Sequence, residues 1–426
     1  MFRRSKFWYK FAAPFLVLAL IVPVLAACGD DEDEGTSAPT ASPTVTSETK
    51  SSITPSATFS AMPTATPTKT VSGEPVKIGV MTAWSGPSAV AGVLADQAIA
   101  VAQEYLKGVG GVLGGRAIKF EKYDSKGMVA EAVAGMTKLS RSEKVSVVAG
   151  GGASVAEFFA VVDAAEDNKV PVVIIASSPS DLSPYAYSVR GGNVQEAKRT
   201  AMQTRFILNE LKPQKVAVLI DNQAEALERV EMVTKALEKT GIKIVSEQRV
   251  EIGTTDFSPY LTKMKYAKPD LCISVFAAPS SYMTVFKQIM ELGGWDGVKF
   301  LDLTTAAASA AVAKMPGAQG AYSTALWAPG LPYPGSRQLE ELYRKVHNMV
   351  PSPYNLPIYI SIMTAIHAIE LAGSDNPEDV AKALRSGNLK WEGPVGPFTI
   401  DTNGENNMTG VIVELRDGGF IPVYFE

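Results

Sequence analysis

From residue 76 onward, short runs of consecutive apolar residues alternate with longer stretches whose apolar positions recur three and four apart. Residues 76–81 (VKIGVM) read as a buried strand and 88–107 as a helix, with the loop GGVLGGR after it. Residues 117–124 (AIKFEKYD) alternate apolar and polar, as a strand exposed on one face does. Helix 129–140, strand 144–150, helix 154–168 and strand 170–177 follow. A second series of the same kind starts at 215: strand 215–221, helix 224–240 ending at Gly241, strand 242–250, helix 256–268, strand 269–277, helix 281–292 and strand 298–304. Near-continuous Val/Ile runs fit strands covered on both faces. Strands alternating with helices of this length imply βαβ crossovers and parallel sheets. The predicted fold class is α/β, with two doubly wound parallel-sheet lobes. Ligands of such sheets lie beyond the carboxyl ends of the strands, at switch points. The cleft between two facing lobes is therefore the expected site.

The pattern before residue 74 is different. A basic start (Arg3, Arg4, Lys6) precedes the apolar stretch FAAPFLVLALIVPV and then Leu-Ala-Ala-Cys at 25–28. This reads as a signal peptide over 1–27 rather than a membrane span. Pro14 and Pro23 argue against an uncleaved spanning helix. The cleavage region resembles the bacterial lipobox, which makes Cys28 the expected lipidated N-terminus, with an ordinary secretory signal as the alternative. Residues 28–73 are acidic and then rich in Ser, Thr, Pro and Ala, with almost nothing to bury. They are expected to be a disordered tether, with a root-mean-square span of roughly 35–40 Å. The expected localisation is extracytoplasmic, anchored by lipid to the outer face of the cytoplasmic membrane.

Composition narrows the function. Of the 426 residues, 46% are hydrophobic and 20% charged, with net charge −4, which suits a globular core. No arginine-rich stripe points to nucleic acid. With two histidines and two cysteines there is little material for a metal site. No cofactor and no metal are expected. Cys272, inside LCISV, reads as buried. His347 and His367 lie on what read as helices and are expected to be packed or surface residues.

The stretch VVAGGGASVAEF (147–158) sets three glycines and a serine between a strand and a helix. Gly150 and Gly152 fit the first two positions of a dinucleotide fingerprint, but Val155 stands where the third glycine belongs, and no GxxxxGK[ST] occurs. Two readings remain. Either Ser154 is a plain N-cap, or the helix start holds an anion on its unpaired N–H groups. Ser177 and Ser178 follow the next strand and offer hydroxyls to a polar ligand head. Trp84, in AWSGPSA, is either a core filler or an aromatic wall at the cleft rim. No nucleophile–base pair is present, so an enzyme is not expected.

VKIGVMTAWSGPSAVAG, the stretch GGVLGGRAIKFEKYDSKGMVAEAVAGMTKLSRSEKVSVVAGGGAS, DFSPYLTKMKYAKPDL, YISIMTAIHAIELAGS and WEGPVGPFTIDTNGE together resemble the Leu/Ile/Val-type solute-binding proteins of ABC transporters. The similarity runs in one order from about residue 74 to the end. It implies a periplasmic-binding-protein fold of type I with a three-crossing hinge. One lobe is then 74–193 plus 325–395, and the other 194–324 plus 396–426. The implied function is capture of a small solute by lobe closure and delivery to a membrane permease, by a protein expected to be monomeric. In amino-acid-binding relatives the α-carboxylate sits at positions that fall here on Ser154 and Ser178, with Gly152, Ala153, Ala176 and Ser177 beside them.

Elsewhere the sequence departs from the family. Ala91 stands where relatives carry an aromatic, and Glu225 where they often carry tyrosine. Thr304 or Thr305 stands where an acid usually meets the ligand's ammonium. An unpaired buried ammonium is costly, so Asp302 or Glu225 is the expected substitute, unless the ligand has no amine. Ala278 completes the expected ligand-binding set, and Tyr282, Trp327 and Tyr359 are expected in the core. The leading expectation is a branched-chain or other hydrophobic amino acid. An amide or an amine-free aromatic or aliphatic acid is the alternative within the class, and a ligand-sensing signalling module the alternative outside it.

Overall fold

Alternating runs of apolar residues become two sheets flanked by helices. The computed structural model describes residues 73–425 apart from 87, 152–154, 176–182 and 277, and only the backbone of 155, 156, 193, 224 and 225. The signal segment and Cys28 lie outside the described residues. The chain divides between Pro63 and Thr64, and the described residues all belong to the second unit.

In the first lobe come β1 (Val76–Thr82), α1 (Val90–Val109), β2 (Ile118–Asp124), α2 (Val129–Thr137), β3 (Val147–Gly150), α3 (Val155–Asn168), β4 (Val172–Ile174) and β5 (Ala186–Ser188). The chain then enters the second lobe with α4 (Asn193–Phe206), β6 (Lys215–Asp221), α5 (Ala224–Glu238), β7 (Lys243–Val250), α6 (Ser258–Tyr266), β8 (Leu271–Val275), α7 (Pro279–Glu291), β9 (Lys299–Asp302), α8 (Ala310–Ala313) and β10 (Tyr322–Ala325). It returns as α9 (Pro334–His347), α10 (Leu356–Ala372), α11 (Pro377–Leu384) and the hairpin β11 (Lys390–Gly393) and β12 (Gly396–Thr399). Finally β13 (Val411–Arg416) and β14 (Gly419–Phe425) extend the second sheet. The lobe division expected at 395/396 falls in the turn of the β11–β12 hairpin, whose two strands pair with each other.

The first sheet is parallel throughout, in the order β2-β1-β3-β4-β5. The second runs β14-β13-β10-β9-β8-β6-β7. From β7 to β10 it repeats the order of the first, and the antiparallel pair β13–β14 is added at its edge. The switch points therefore lie between β1 and β3 in one lobe and between β6 and β8 in the other. Edge position explains β2: its side chains are half-buried or exposed, whereas those of β3 and β4 are buried throughout.

Local chemistry moves several ends from where the sequence pattern puts them. Past Thr137, α2 continues through a wide helical turn, Lys138–Glu143, that stops at Lys144 with φ 58°. This delays β3 to Val147. The strand expected over 298–304 ends at Asp302, whose carboxylate draws back the N–H groups of Thr304 and Ala307. Thr304 thus lies beyond the strand and does not share a strand face with Asp302. Helix α1 stops at Gly110, whose φ of 83° lets its N–H reach Leu106 O.

Helix α10 is apolar on nearly every side, and it is buried accordingly, packed on α1, α11, β3 and β4. Near its end, His367 stacks on Trp391, with ring centroids 4.9 Å apart at 18°. Burial pushes the imidazole pKa down to about 4, from 6.5 when free. Because the folded chain holds the neutral ring, this stabilisation is complete above pH 6.5 and is lost as pH falls towards 4. The difference amounts to about 3 kcal/mol. Melting temperatures between pH 7 and 4 should therefore fall less steeply for His367→Phe than for the natural chain. Parallel slopes would disprove this role. Cys272 is buried, which pushes its thiol pKa up. Tyr282, Trp327 and Tyr359 are core residues, 1%, 0% and 2% exposed.

Candidate functional site

The carboxyl ends of β6, β8 and β9 form one wall of a cavity of about 170 Å3. Gln223 and Ala226 come from the start of α5, Val275 and Phe276 from the end of β8, and Thr304, Thr305 and Ala306 from the loop after β9. Arg190, just past β5, and Tyr354, just before α10, complete the lining. The volume is below the roughly 300 Å3 of pockets for drug-sized ligands, so a small solute fits. Residues from both sides of the lobe connection meet here, at the second lobe's switch point.

Asp302 builds this wall from behind. Its Oδ1 accepts hydrogen bonds from Tyr282 Oη (2.6 Å), Thr304 N (2.7 Å) and Thr304 Oγ1 (2.7 Å). Its Oδ2 accepts from Ala307 N (2.8 Å) and Ser323 Oγ (2.8 Å). Burial pushes the Asp302 pKa up, and the donors from Thr304, Tyr282 and Ala307 oppose it. The residue is 1% exposed and does not line the cavity. It is an organiser of the 303–307 turn, not a surface for an ammonium group. Tyr354 stands on the opposite side. Burial raises its phenol pKa, Arg190 nearby lowers it, and Asp302 adds a smaller upward push.

A second carboxylate plays the matching part in the first lobe. Asp124, the last residue of β2, accepts from Trp84 N (2.8 Å), Ser85 Oγ (2.6 Å) and Lys126 N (2.9 Å). Burial works to raise its pKa, but these hydrogen bonds outweigh it and hold the carboxyl below the usual range. The indole of Trp84 is turned outward: Nε1 donates to Asp96 Oδ1 at 3.0 Å, and Lys122 Nζ lies 5.8 Å from the ring. Trp84 is not among the residues lining the cavity. Next to it, the glycine turn begins at Gly150, whose N–H donates to Ser361 Oγ at 2.9 Å. The Ser361 hydroxyl in turn donates to Val173 O at 2.6 Å, so α10 clips the ends of β3 and β4 together.

Of the ligand-binding residues expected from sequence, Thr304 lines the cavity. Glu225 lies in the first turn of α5, between the lining residues Gln223 and Ala226, and its side chain is outside the described residues. Ala278 caps α7, while the strand residues before it, Val275 and Phe276, reach the cavity instead. Gly152, Ala153, Ser154, Ala176, Ser177 and Ser178 lie outside the described residues. Sequence reasoning missed Arg190, Gln223, Phe276 and Tyr354. For Arg190 the sequence offered no signal, because three-residue β5 before it carries too little pattern to be read as a strand. For Phe276 the signal was an aromatic at a predicted carboxyl end. Among the described residues no group of three or more His, Cys, Asp or Glu is placed to hold a metal ion.

Residues 75–419 match the family model described as periplasmic binding protein, and the chain belongs to that family. The leucine-, isoleucine-, valine-, threonine-, and alanine-binding protein of Pseudomonas aeruginosa is 24% identical over 344 residues, which cover 79% of this chain and 88% of that one. The branched-chain amino acid transporter substrate-binding protein LivJ of Streptococcus pneumoniae, solved with isoleucine, superposes with a TM-score of 0.69 at 20% identity, covering 83% of this chain and all (100%) of that one. The solute-binding protein of an ABC transporter from Rhodopseudomonas palustris BisB5, solved with 3,4-dihydroxybenzoic acid, gives a TM-score of 0.69 at 23% identity over 82% of this chain and 96% of that one. These likenesses establish the two-lobed α/β fold of type I periplasmic binding proteins.

Proposed function

We propose that this chain is the extracytoplasmic solute receptor of an ABC importer, held to the membrane by a lipid on Cys28, and that it captures a small amine-free aromatic or aliphatic carboxylate. The observation that carries the ligand class is the commitment of Asp302. All five of its hydrogen bonds come from its own lobe, and the turn it organises presents Thr304, Thr305 and Ala306 to the solute. The hydroxyl of Thr305 and the phenol of Tyr354 offer polar contacts, and Phe276, Val275 and Ala226 offer apolar ones. The carboxylate itself is assigned to the glycine turn and to Ser178, with closure of the lobes burying it. A relative that holds 3,4-dihydroxybenzoic acid supports this class. A hydrophobic amino acid is the second reading, favoured by the relative from Pseudomonas aeruginosa. It assigns the ammonium to Glu225.

A thermal-shift screen of the purified full-length protein separates the two. A ligand at a hundred times its dissociation constant should add about 2.7 kcal/mol of stability. Benzoate, 4-hydroxybenzoate or isovalerate should raise the melting temperature, and leucine and valine should not. A shift with leucine that disappears in Glu225→Gln would replace the first reading by the second.

A further inference from the structure

Arg190 occupies an unusual place. It follows β5 at the first connection between the lobes, and its Nε donates to Ile175 O at 3.1 Å, at the end of β4. That strand end belongs to the first sheet. The same residue lines the second-lobe cavity beside Tyr354 and Thr304. It therefore touches both lobes.

Its backbone is also fastened on several sides. Arg199, on α4, donates through Nη2 to Arg190 O at 3.1 Å. Arg190 N donates to Ser188 Oγ at 3.1 Å. The flanking residues are tied to the connection between β12 and β13: Asn406 Nδ2 donates to Ser188 O at 2.9 Å, and Gly192 N donates to Glu405 Oε2 at 2.9 Å. Gln195 Nε2 donates to Asn406 O as well. A cation mounted this firmly needs little reorganisation when a ligand arrives, and pre-organised charge favours specificity.

From this geometry we infer that Arg190 is a specificity-determining residue that selects anionic solutes over neutral ones of the same shape. The inference rests on the solute-receptor reading above and deepens it. A guanidinium at the cleft floor strengthens binding of a carboxylate through charge-assisted hydrogen bonds. An isosteric amide brings the same shape and no charge, and it also sets its own donors against those of the arginine. Discrimination between the two is the property at stake.

The test uses matched probes on the full-length protein by calorimetry: benzoate against benzamide, and isovalerate against isovaleramide. The natural chain should bind each acid at least about tenfold more tightly than its amide. In Arg190→Gln that ratio should collapse towards one, and in Arg190→Lys most of it should remain. Losing the Ile175 contact alone would weaken acid and amide alike and leave the ratio unchanged, so an unchanged ratio in Arg190→Gln overturns the inference. Equal binding of acid and amide by the natural chain overturns it without any variant, should the variants fail to fold. Binding of no probe, acid or amide, would instead sink the proposed function from which the inference starts.

Discussion

Asp302→Ala is expected to lower the stability of the protein by about 3–5 kcal/mol, as removal of one partner from a buried charged network does. Five donors lose their acceptor at once, two of them backbone N–H groups fixed by the turn and three of them the hydroxyls of Tyr282, Thr304 and Ser323. Unsatisfied buried donors each carry a penalty of roughly 1–3 kcal/mol, which water entering the gap offsets in part. Asp302→Asn should rescue little. Each carboxylate oxygen faces a backbone N–H, Thr304 N on one and Ala307 N on the other. Either orientation of an asparagine amide therefore points its NH2 group at a donor. Denaturant unfolding of both variants checks this, and an Asp302→Asn midpoint equal to the natural one would refute the account. Ligand affinity should fall in the same variants, since the turn that lines the cavity loses its anchor.

The second large effect is expected at Gly150. With φ 91°, it sits in a conformation that other residues rarely adopt, and a Cβ there would stand 2.3 Å from Met81 O. That carbonyl already accepts the Gly151 N–H at 2.6 Å, so it cannot move aside without losing a bond. Ile358 closes the other side at 3.3 Å. Left-handed strain of about 1–2 kcal/mol and overpacking of roughly 1–3 kcal/mol add to one another in Gly150→Ala. Splaying the ends of β1 and β3 should also abolish solute binding, because the glycine turn starts there. Gly108→Ala, with nothing within 4 Å of its Cβ, is the control and should be neutral or stabilising by up to about 1 kcal/mol. Melting curves that coincide for Gly150→Ala and the natural chain would disprove the clash.

Much of the fold was legible because the strands that are buried on both faces announce themselves. The runs that become β1, β3, β6 and β8 read correctly from apolar residues alone. What escaped was short or chemically mixed. Three-residue β5 and four-residue β10 carry too little pattern to recognise. Helix α4, with Gln, Glu, Lys, Arg and Thr through its middle, has little apolar stripe to betray it. The site was harder for a different reason. Asp302 and Thr304 both fall within the single strand that the apolar pattern suggests over 298–304. Their real relation, a side chain reaching forward to stop its own strand, depends on hydrogen bonds that no spacing encodes. Arg190 and Tyr354 lie 164 positions apart in the chain and meet only because the lobes are joined more than once.

The strand order of the first sheet recurs in the second, β2-β1-β3-β4-β5 beside β7-β6-β8-β9-β10. Each lobe accordingly owns a switch point and a carboxylate, Asp124 or Asp302, that shapes a loop next to it. The two halves share a plan and differ in chemistry: a glycine turn begins at the end of β3, whereas Phe276 follows β8 and Thr304 and Thr305 follow β9. A cleft assembled from unlike halves gives a guest one orientation, because turning it end for end would exchange the chemistry that each end meets.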